Sequence, residues 1–356
     1  LRAELDALPA PSQVYAGTVH AGSGAFRGRA GLGPREIRVL ARGDVTRPGE
    51  LASPGAVPLI PDVPARFDLA DPNDESARRA ALAEWIVRDD NPLTWRSIVN
   101  RIWLHHFGRG IVDSPNDFGR GGQLPSHPEL LDWLAVEFRD GGQSFKRLHR
   151  MICLSSAYRQ QVARNSEAER IDGGNRLLWR MNRRRLSAEE VRDSILLLAG
   201  RLDTRMGGPG FMDFVIERPE HSPHYEYQKY DPLDPATHRR SIYRFIVRSQ
   251  PQPFLTTLDC ADPSMSVAKR DETQTSLQAL AMLNNRFVVA MADELAARAE
   301  RDAPDLEGQI ESLFLRGIGR LPSRDELAAL AEYAREFGLA NTGRMIVNLN
   351  EFVFVD

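Results

Sequence analysis

The stretch Asn91-Pro92-Leu93-Thr94-Trp95-Arg96-Ser97-Ile98-Val99-Asn100-Arg101-Ile102-Trp103-Leu104-His105-His106-Phe107-Gly108 sets the fold class. Asn91 suits an N-cap, and Pro92 suits the first helical position, where its missing N–H would lack a partner in any case. Gly108 supplies the stop. Between them Trp95, Ile98, Val99, Ile102 and His106 recur on one side of a 3.6-residue period, while Ser97, Arg101 and His105 recur on another. The spacing predicts an amphipathic helix with an unusually polar second stripe.

The same period extends outward in both directions. A helix is expected from Glu75, with Leu82, Trp85 and Ile86 on one face, and another from Pro128, with His127 at its cap and Leu130, Leu131, Leu134 and Phe138 inward. A fourth follows Ser144, burying Phe145, Leu148 and Ile152. A fifth is signalled by the capping box Ser187-Ala188-Glu189-Glu190, with Leu186 and Val191 placed as a hydrophobic staple. Farther on, one long helix is expected from Thr275 to Glu300, and another opens with the capping box Ser323-Arg324-Asp325-Glu326.

Other segments read differently. Residues 1–70 are rich in Gly and Pro with short β-like runs, such as Ile37 to Leu40, so a β-rich lead-in is expected, the tail of an upstream domain. The glycines from Gly22 to Gly33 lack the G-x-G-x-x-G spacing and the Walker lysine, and read as turns. Residues 203–240 form a loop-rich insertion, and Arg240 to Arg248 alternates like a strand, with Arg240, Arg244 and Arg248 on one face. The expected architecture is therefore mainly α, a multi-helix globular domain over residues 71–356 with a small β-containing lead-in and a short strand near 240–248.

Composition narrows the function. Of 356 residues, 42% are hydrophobic and 27% charged, ordinary globular usage, and no run of 18 apolar residues predicts a membrane span. The first residues, Leu1-Arg2-Ala3-Glu4, resemble neither an initiator nor a signal peptide, which suggests a piece of a longer precursor. Lys and Arg total 46, yet only Lys146, Lys229 and Lys269 are lysines, so 43 are arginines. Codon bias accounts for most of them, and a few are candidates for bidentate anion binding. A net charge of −3 argues against a general nucleic-acid binder. Cys153 and Cys260 form no disulfide framework, and the absence of C-x-x-C-H leaves no haem attachment in this segment.

Charge is uneven along the chain. Residues 174–250 hold 14 basic and 10 acidic side chains, and residues 293–356 hold 7 and 13, so docking of the two segments is the simplest expectation.

The polar motif around the helix gathers two imidazoles, two guanidiniums and a carboxylate within a short span. Arg101, His105, Asp117 and His127 are the candidates for acid/base chemistry, although the same residue types serve as caps and buried ties. Arg109 and the triplet Arg240, Arg244 and Arg248 are the candidates for anion binding, with internal carboxylates as the alternative partners. His221, His224, Glu226, Asp231, Asp234 and His238 could gather nitrogen and oxygen ligands in one loop, but their spacing is loose and the metallohydrolase signatures, H-E-x-x-H among them, are absent, so no metal site is assigned. Asp117-Phe118-Gly119 lacks the partners of a kinase magnesium motif.

The runs Asn91-Pro92-Leu93-Thr94, Val99-Asn100-Arg101-Ile102-Trp103, His105-His106-Phe107-Gly108-Arg109-Gly110, Asp117-Phe118-Gly119 and His127-Pro128-Glu129-Leu130-Leu131 occur together. With His149-Arg150-Met151-Ile152, Ser155-Ser156-Ala157-Tyr158-Arg159, Arg240-Ser241-Ile242-Tyr243 and Leu277 to Asn284, the chain closely resembles the planctomycete-specific domain of unknown function found C-terminal to planctomycete cytochrome c-like domains. It departs from that pattern at Gln274-Thr275-Ser276, where Asn-Thr-Pro is usual, and at Glu272. The resemblance implies export to the periplasm or cell envelope and fusion to upstream, cytochrome c-like domains, with haem only there. The expectation is a noncatalytic module that docks to its upstream cytochrome c-like domains or binds an acidic polysaccharide through arginines. The alternative is a hydrolytic or redox-linked enzyme built on the 100–127 cluster.

Overall fold

The computed structural model describes residues 36–356 apart from Leu59, 219–221 and Asp356. The Gly22–Gly33 cluster, His221 and most of the expected lead-in lie outside the described residues. The described chain is mainly α. Its contacts group into two compact units, one of the described residues up to Val99 with Glu129–Ser144, the other of Asn100–Pro128 with Phe145 onward.

The first unit opens with an antiparallel pair, β1 (Arg38–Leu40) and β2 (Pro48–Leu51). Helix α1 (Glu75–Val87) starts where the Asp74 carboxylate accepts from the N–H groups of Ser76 and Ala77. Its expected inner face stays partly in solvent, with Leu82 and Ile86 exposed. The first turns of α2 (Pro92–Phe107) and most of α3 (Pro128–Asp140) meet in this unit. Trp95 and Phe138 stand 6.5 Å apart between ring centres, and Leu131 and Leu134 are buried on the same face of α3. The Arg96–Asp132 ion pair, at 2.5 Å, closes the solvent edge.

The second unit begins with the later turns of α2. There Asn100, wholly buried, accepts from the Val112 N–H at 2.8 Å and donates to its carbonyl at 2.9 Å, tying the following loop to the helix. Gly110 sits beneath this tie, where a Cβ would lie 2.4 Å from the Val112 oxygen. Helix α4 (Phe145–Leu154) buries Leu148 and Ile152, whereas Phe145, in its first turn, stays exposed. After α5 (Ser166–Ile171), β3 (Arg184–Arg185) leads into α6 (Ala188–Leu198). The predicted capping box is present: Ser187 Oγ accepts from Glu190 N–H at 3.3 Å and Glu190 accepts from Ser187 N–H at 2.7 Å.

The remaining helices build the core. They are α7 (Pro253–Thr257), α8 (Ser276–Asn284), α9 (Arg286–Asp302), α10 (Leu306–Ile318), α11 (Arg324–Phe337), α12 (Leu339–Val347) and α13 (Asn350–Val353). Met291, Leu295, Ile310, Leu313, Phe314 and Ile346 pack with Val191, Ile195 and Leu196 of α6 in one apolar cluster. The terminal β6 (Phe354–Val355) pairs antiparallel with β3, bringing the chain's end to the start of α6.

Two sequence expectations need correction. The helix expected from Thr275 to Glu300 is two helices. Asn285 adopts an extended conformation and its side chain accepts from Phe287 N–H at 2.9 Å, so it caps α9 instead of continuing α8.

The second correction concerns the strand expected near 240–248. Ser241–Tyr243 forms a single 3-10 turn, flanked by isolated bridges from Arg239 to Asp203 and from Arg244 to Phe211. The cause lies in α6. Asp193 takes the Ser241 N–H and hydroxyl at 2.9 and 2.7 Å, and buried Arg192 donates to the carbonyls of Thr237 and Arg239, which bends the chain away from an extended path. Strands do form earlier in the loop-rich insertion, where β4 (Val215–Glu217) pairs with β5 (His224–Glu226) over a small cluster of Phe214, Tyr227 and Val247.

Candidate functional site

The polar stripe of α2 faces a cleft of about 350 Å³ within the second unit. One wall is Arg101, Leu104, His105 and Gly108 from α2, together with Arg184 to Ser187 and Glu190 from the β3–α6 junction. The other wall is the loop from Leu258 to Glu272. Apolar atoms of Leu104, Leu186, Leu258 and Met265 lie among charges of both signs.

Local bonds place the arginines of the cleft, Arg101 by donating to Asn116 Oδ1. Arg184 donates to the His105 carbonyl at 2.6 Å and pairs with Glu190 at 3.3 Å, holding the end of α2 against the start of α6. Arg185 is buried and pairs with Asp259 at 3.1 Å, and also donates to the Thr273 carbonyl. Asp259 sits in the left-handed region, φ 65°, which an aspartate tolerates. Its carboxylate also accepts from Thr273 N–H and Gln278 Nε2 at 2.7 and 3.0 Å, so the far wall is anchored at both ends of the loop.

Arg270 forms a bidentate pair with Glu189, at 2.5 and 2.9 Å. Burial acts to raise the Glu189 carboxyl, but the Arg270 guanidinium prevails and holds it below the ordinary glutamate value. Cys260 donates to Glu189 at 3.6 Å, and burial together with that carboxylate pushes the thiol up to about 11. It is a poor nucleophile at neutral pH.

His105 also lines the cleft. Burial lowers its pKa below the ordinary histidine value, and the positive fields of Arg184, Arg270 and Arg101 add to that effect, with Glu190 opposing. The imidazole is therefore held neutral among cations. Next to it, His106 turns away to His149 of α4, ring nitrogens 2.7 Å apart, and stands edge-on to Tyr158.

The four residues read from the sequence as an acid/base group do not line one cavity. Arg101 and His105, one helical turn apart, share the cleft. Asp117 builds the loop instead: its carboxylate accepts from Gly119 N–H at 2.8 Å, and a Cβ on Gly122 would lie 2.0 Å from its carbonyl oxygen. His127 bonds Ser126 Oγ at 2.9 Å and borders a separate, water-sized cavity of about 20 Å³ with Arg109 and Asn175.

The expected anion-binding arginines are dispersed as well. Arg109 pairs with Asp113 at 2.9 Å. Arg240 lies against Met206 and the Tyr243 ring, and Arg248 donates to the Ser264 carbonyl at 3.2 Å. Arg244 is buried beside buried Asp213, at 3.5 Å. With no strand to align them, these three share no face. Their anionic contact comes from within the same segment, whereas between the basic and acidic segments Arg201 and Glu294 pair at 2.5 Å.

In the 221–238 loop, His238 is buried on the Pro232 carbonyl at 2.8 Å, and Asp231 and Asp234 cap local turns. Among the described residues no group of three or more His, Cys, Asp or Glu side chains could hold a metal ion. Nor is any helix among them long and apolar enough to cross a membrane.

Sequence reasoning missed Arg184, Glu190, Lys269 and Arg270. The one local signal was the triplet Arg183-Arg184-Arg185 directly before a capping box. The loop carrying Lys269 and Arg270 is brought to α2 only by tertiary contacts.

The fold and cleft define a mainly helical domain with a charge-lined groove at a helix C-terminus. The model of the PSD1 family, described as "Protein of unknown function (DUF1553)", matches residues 78–334, well over half of the chain. The chain belongs to that family. Comparison with curated proteins and comparison with solved structures each return no match.

Proposed function

We propose that the chain is a noncatalytic binding module whose cleft takes an anionic group of the kind borne by acidic polysaccharides, a carboxylate or a sulfate. The observation that carries this reading is the set of guanidiniums around His105, from Arg101, Arg184 and Arg270, in a cleft with apolar patches fit to pack a sugar face. Lys269 adds a cation at the rim, bonded only loosely to Asp113 at 3.5 Å. The arginines that matter are thus those of the cleft rather than those of residues 240–248.

The wider setting rests on the sequence resemblance. It supports a periplasmic or cell-envelope location, docking to upstream cytochrome c-like domains of the same polypeptide, and haem confined to those domains. A hydrolytic or redox-linked enzyme is the second reading. A neutral imidazole facing a cleft favours it, and Asp117 and His127, which do not line that cleft, weigh against it.

Calorimetric titration with a sulfated hexasaccharide, an oligogalacturonate and an uncharged glucan tests the proposal. Binding of the two anionic probes, weakened at least tenfold by Arg101→Ala and by added salt, is the expected result. Absence of binding by both probes, or equal binding of the glucan, overturns it.

A further inference from the structure

Resting on the anion-binding reading, we infer that His105 takes up a proton when an anion enters the cleft, so that the cleft binds anionic ligands more tightly in mildly acidic surroundings.

The geometry supports the coupling in three ways. His105 is exposed to the cleft at the last turn of α2, where the negative end of the helix dipole favours a cation. Its own backbone oxygen is fixed by Arg184, which sets the position of the ring's attachment point. The charged groups facing it come from each neighbouring element: Arg101 and His106 on α2, Arg184 and Glu190 from the β3–α6 junction, and Arg270 from the opposite loop. Farther along the same cleft stand Lys269 and the Arg185–Asp259 pair, with the carboxylates of Asp262, Asp271 and Glu272. Cations outnumber anions immediately around the ring, so in the empty cleft a further positive charge is unfavourable.

An anion reverses that balance. Burial is the larger cause of the neutral imidazole and the arginine field the second; a sulfate or carboxylate among Arg101, Arg184 and Arg270 reverses that second contribution, and a protonated His105 then becomes a favourable neighbour with both ring nitrogens as donors. The binding step is ligand anion plus one proton from solvent. By linkage, the affinity gains up to about tenfold for each pH unit lowered between the proton affinities of the occupied and the empty site. Arg270 holds the Glu189 carboxyl below its ordinary value, so that pair keeps its charges across this range, and His105 is the histidine that lines the cleft.

The test is titration of the intact chain with the sulfated hexasaccharide, whose charge is constant between pH 5 and 7.5. Measurements in buffers of different ionisation heat count the protons, and the imidazole NMR signals report which histidine takes them. The expected result is rising affinity toward pH 5, uptake of close to one proton, and an upward shift of the His105 titration on saturation. His105→Gln flattens the pH dependence whatever affinity it retains, whereas His149→Gln, outside the cleft lining, leaves the pH dependence intact. Affinity that is flat with pH, or dependence that survives His105→Gln, overturns the coupling while leaving anion binding standing. Absence of binding at every pH overturns the underlying reading instead.

Discussion

The guanidinium of Arg184 donates to the backbone carbonyl of His105 at 2.6 Å, across 79 residues of sequence. The contact joins the last turn of α2 to the strand that precedes α6, and it satisfies a helix-terminal carbonyl that would otherwise need water. A single side chain therefore caps one helix and, through its ion pair with Glu190, steadies the first turn of the next.

Replacing Arg184 by Ala removes both roles. The expected cost is roughly 1 kcal/mol of stability, the net worth of a hydrogen bond at a partly exposed site. The His105 titration should also move up toward the ordinary histidine value, because one of the cations depressing it is gone. Arg184→Lys should recover the second effect and only part of the first, since an ammonium keeps the charge but not the fork geometry. Denaturant unfolding and histidine NMR read the two effects separately, and an unchanged His105 titration in Arg184→Ala contradicts the assignment.

Mild acid should destabilise the fold through two neighbouring histidines. His105 and His106 are both lowered from 6.5, in each case first by burial, then by Arg184 and its fellow cations for His105 and by His149 for His106. Between the unfolded value and the lower folded values the unfolded chain binds more protons. Stability is therefore fully present above about pH 6.5, falls as pH drops through that window, and levels off below the folded values. Thermal midpoints measured from pH 7.5 to 5 should decline, and His106→Gln should lessen the decline. A midpoint that rises with acid over this range would be incompatible with the depressed values.

Local signals in the sequence carried the helices, and tertiary ones did not. Asn91-Pro92 and Gly108 bracket α2 to the residue, and the Ser187 and Ser323 boxes form as read, because capping involves atoms three residues apart. Asn285 gives no local sign of its cap, because an unbroken apolar period runs through it. Alternation over 240–248 implied a strand, yet Asp193 and Arg192, nearly 50 residues away, claim the backbone groups a strand would need. The site was half legible for the same reason. Arg101 and His105 share a helix stripe and stay together, whereas Asp117 and His127 were grouped with them by nearness in sequence, and the loop bearing Arg270 arrives only through folding.

The buried amide of Asn100 makes a sharper prediction. It bonds both the N–H and the carbonyl of Val112 and is wholly shielded from water. Asn100→Leu leaves two buried backbone groups without partners, at about 1–3 kcal/mol each. Asn100→Asp can still accept from the N–H but must bury a charge against the Val112 oxygen, so it should be no milder. Gly110→Ala should destabilise independently, because its methyl would collide with the Val112 oxygen and the Asn100 amide. Unfolding free energies of the three variants check this, and a near-neutral Asn100→Leu would show that the loop is tied down elsewhere.

The pair Arg185–Asp259 anchors the far wall of the cleft, and removing one partner should be costly. Both side chains are largely buried, and Asp259 also serves Thr273 and Gln278. Arg185→Ala strands a carboxylate in a poorly hydrated setting, with an expected loss of about 3 kcal/mol or more, whereas Arg185→Met with Asp259→Asn together should cost less than the sum of the two singles. The double variant keeps apolar volume in place of the guanidinium and retains an amide that can still accept from Thr273. A double-mutant cycle by denaturant unfolding measures the coupling. Strict additivity would mean that the loop from Leu258 to Glu272 is positioned by Gln278 and Thr273 alone, and the cleft's second wall would then owe nothing to the ion pair.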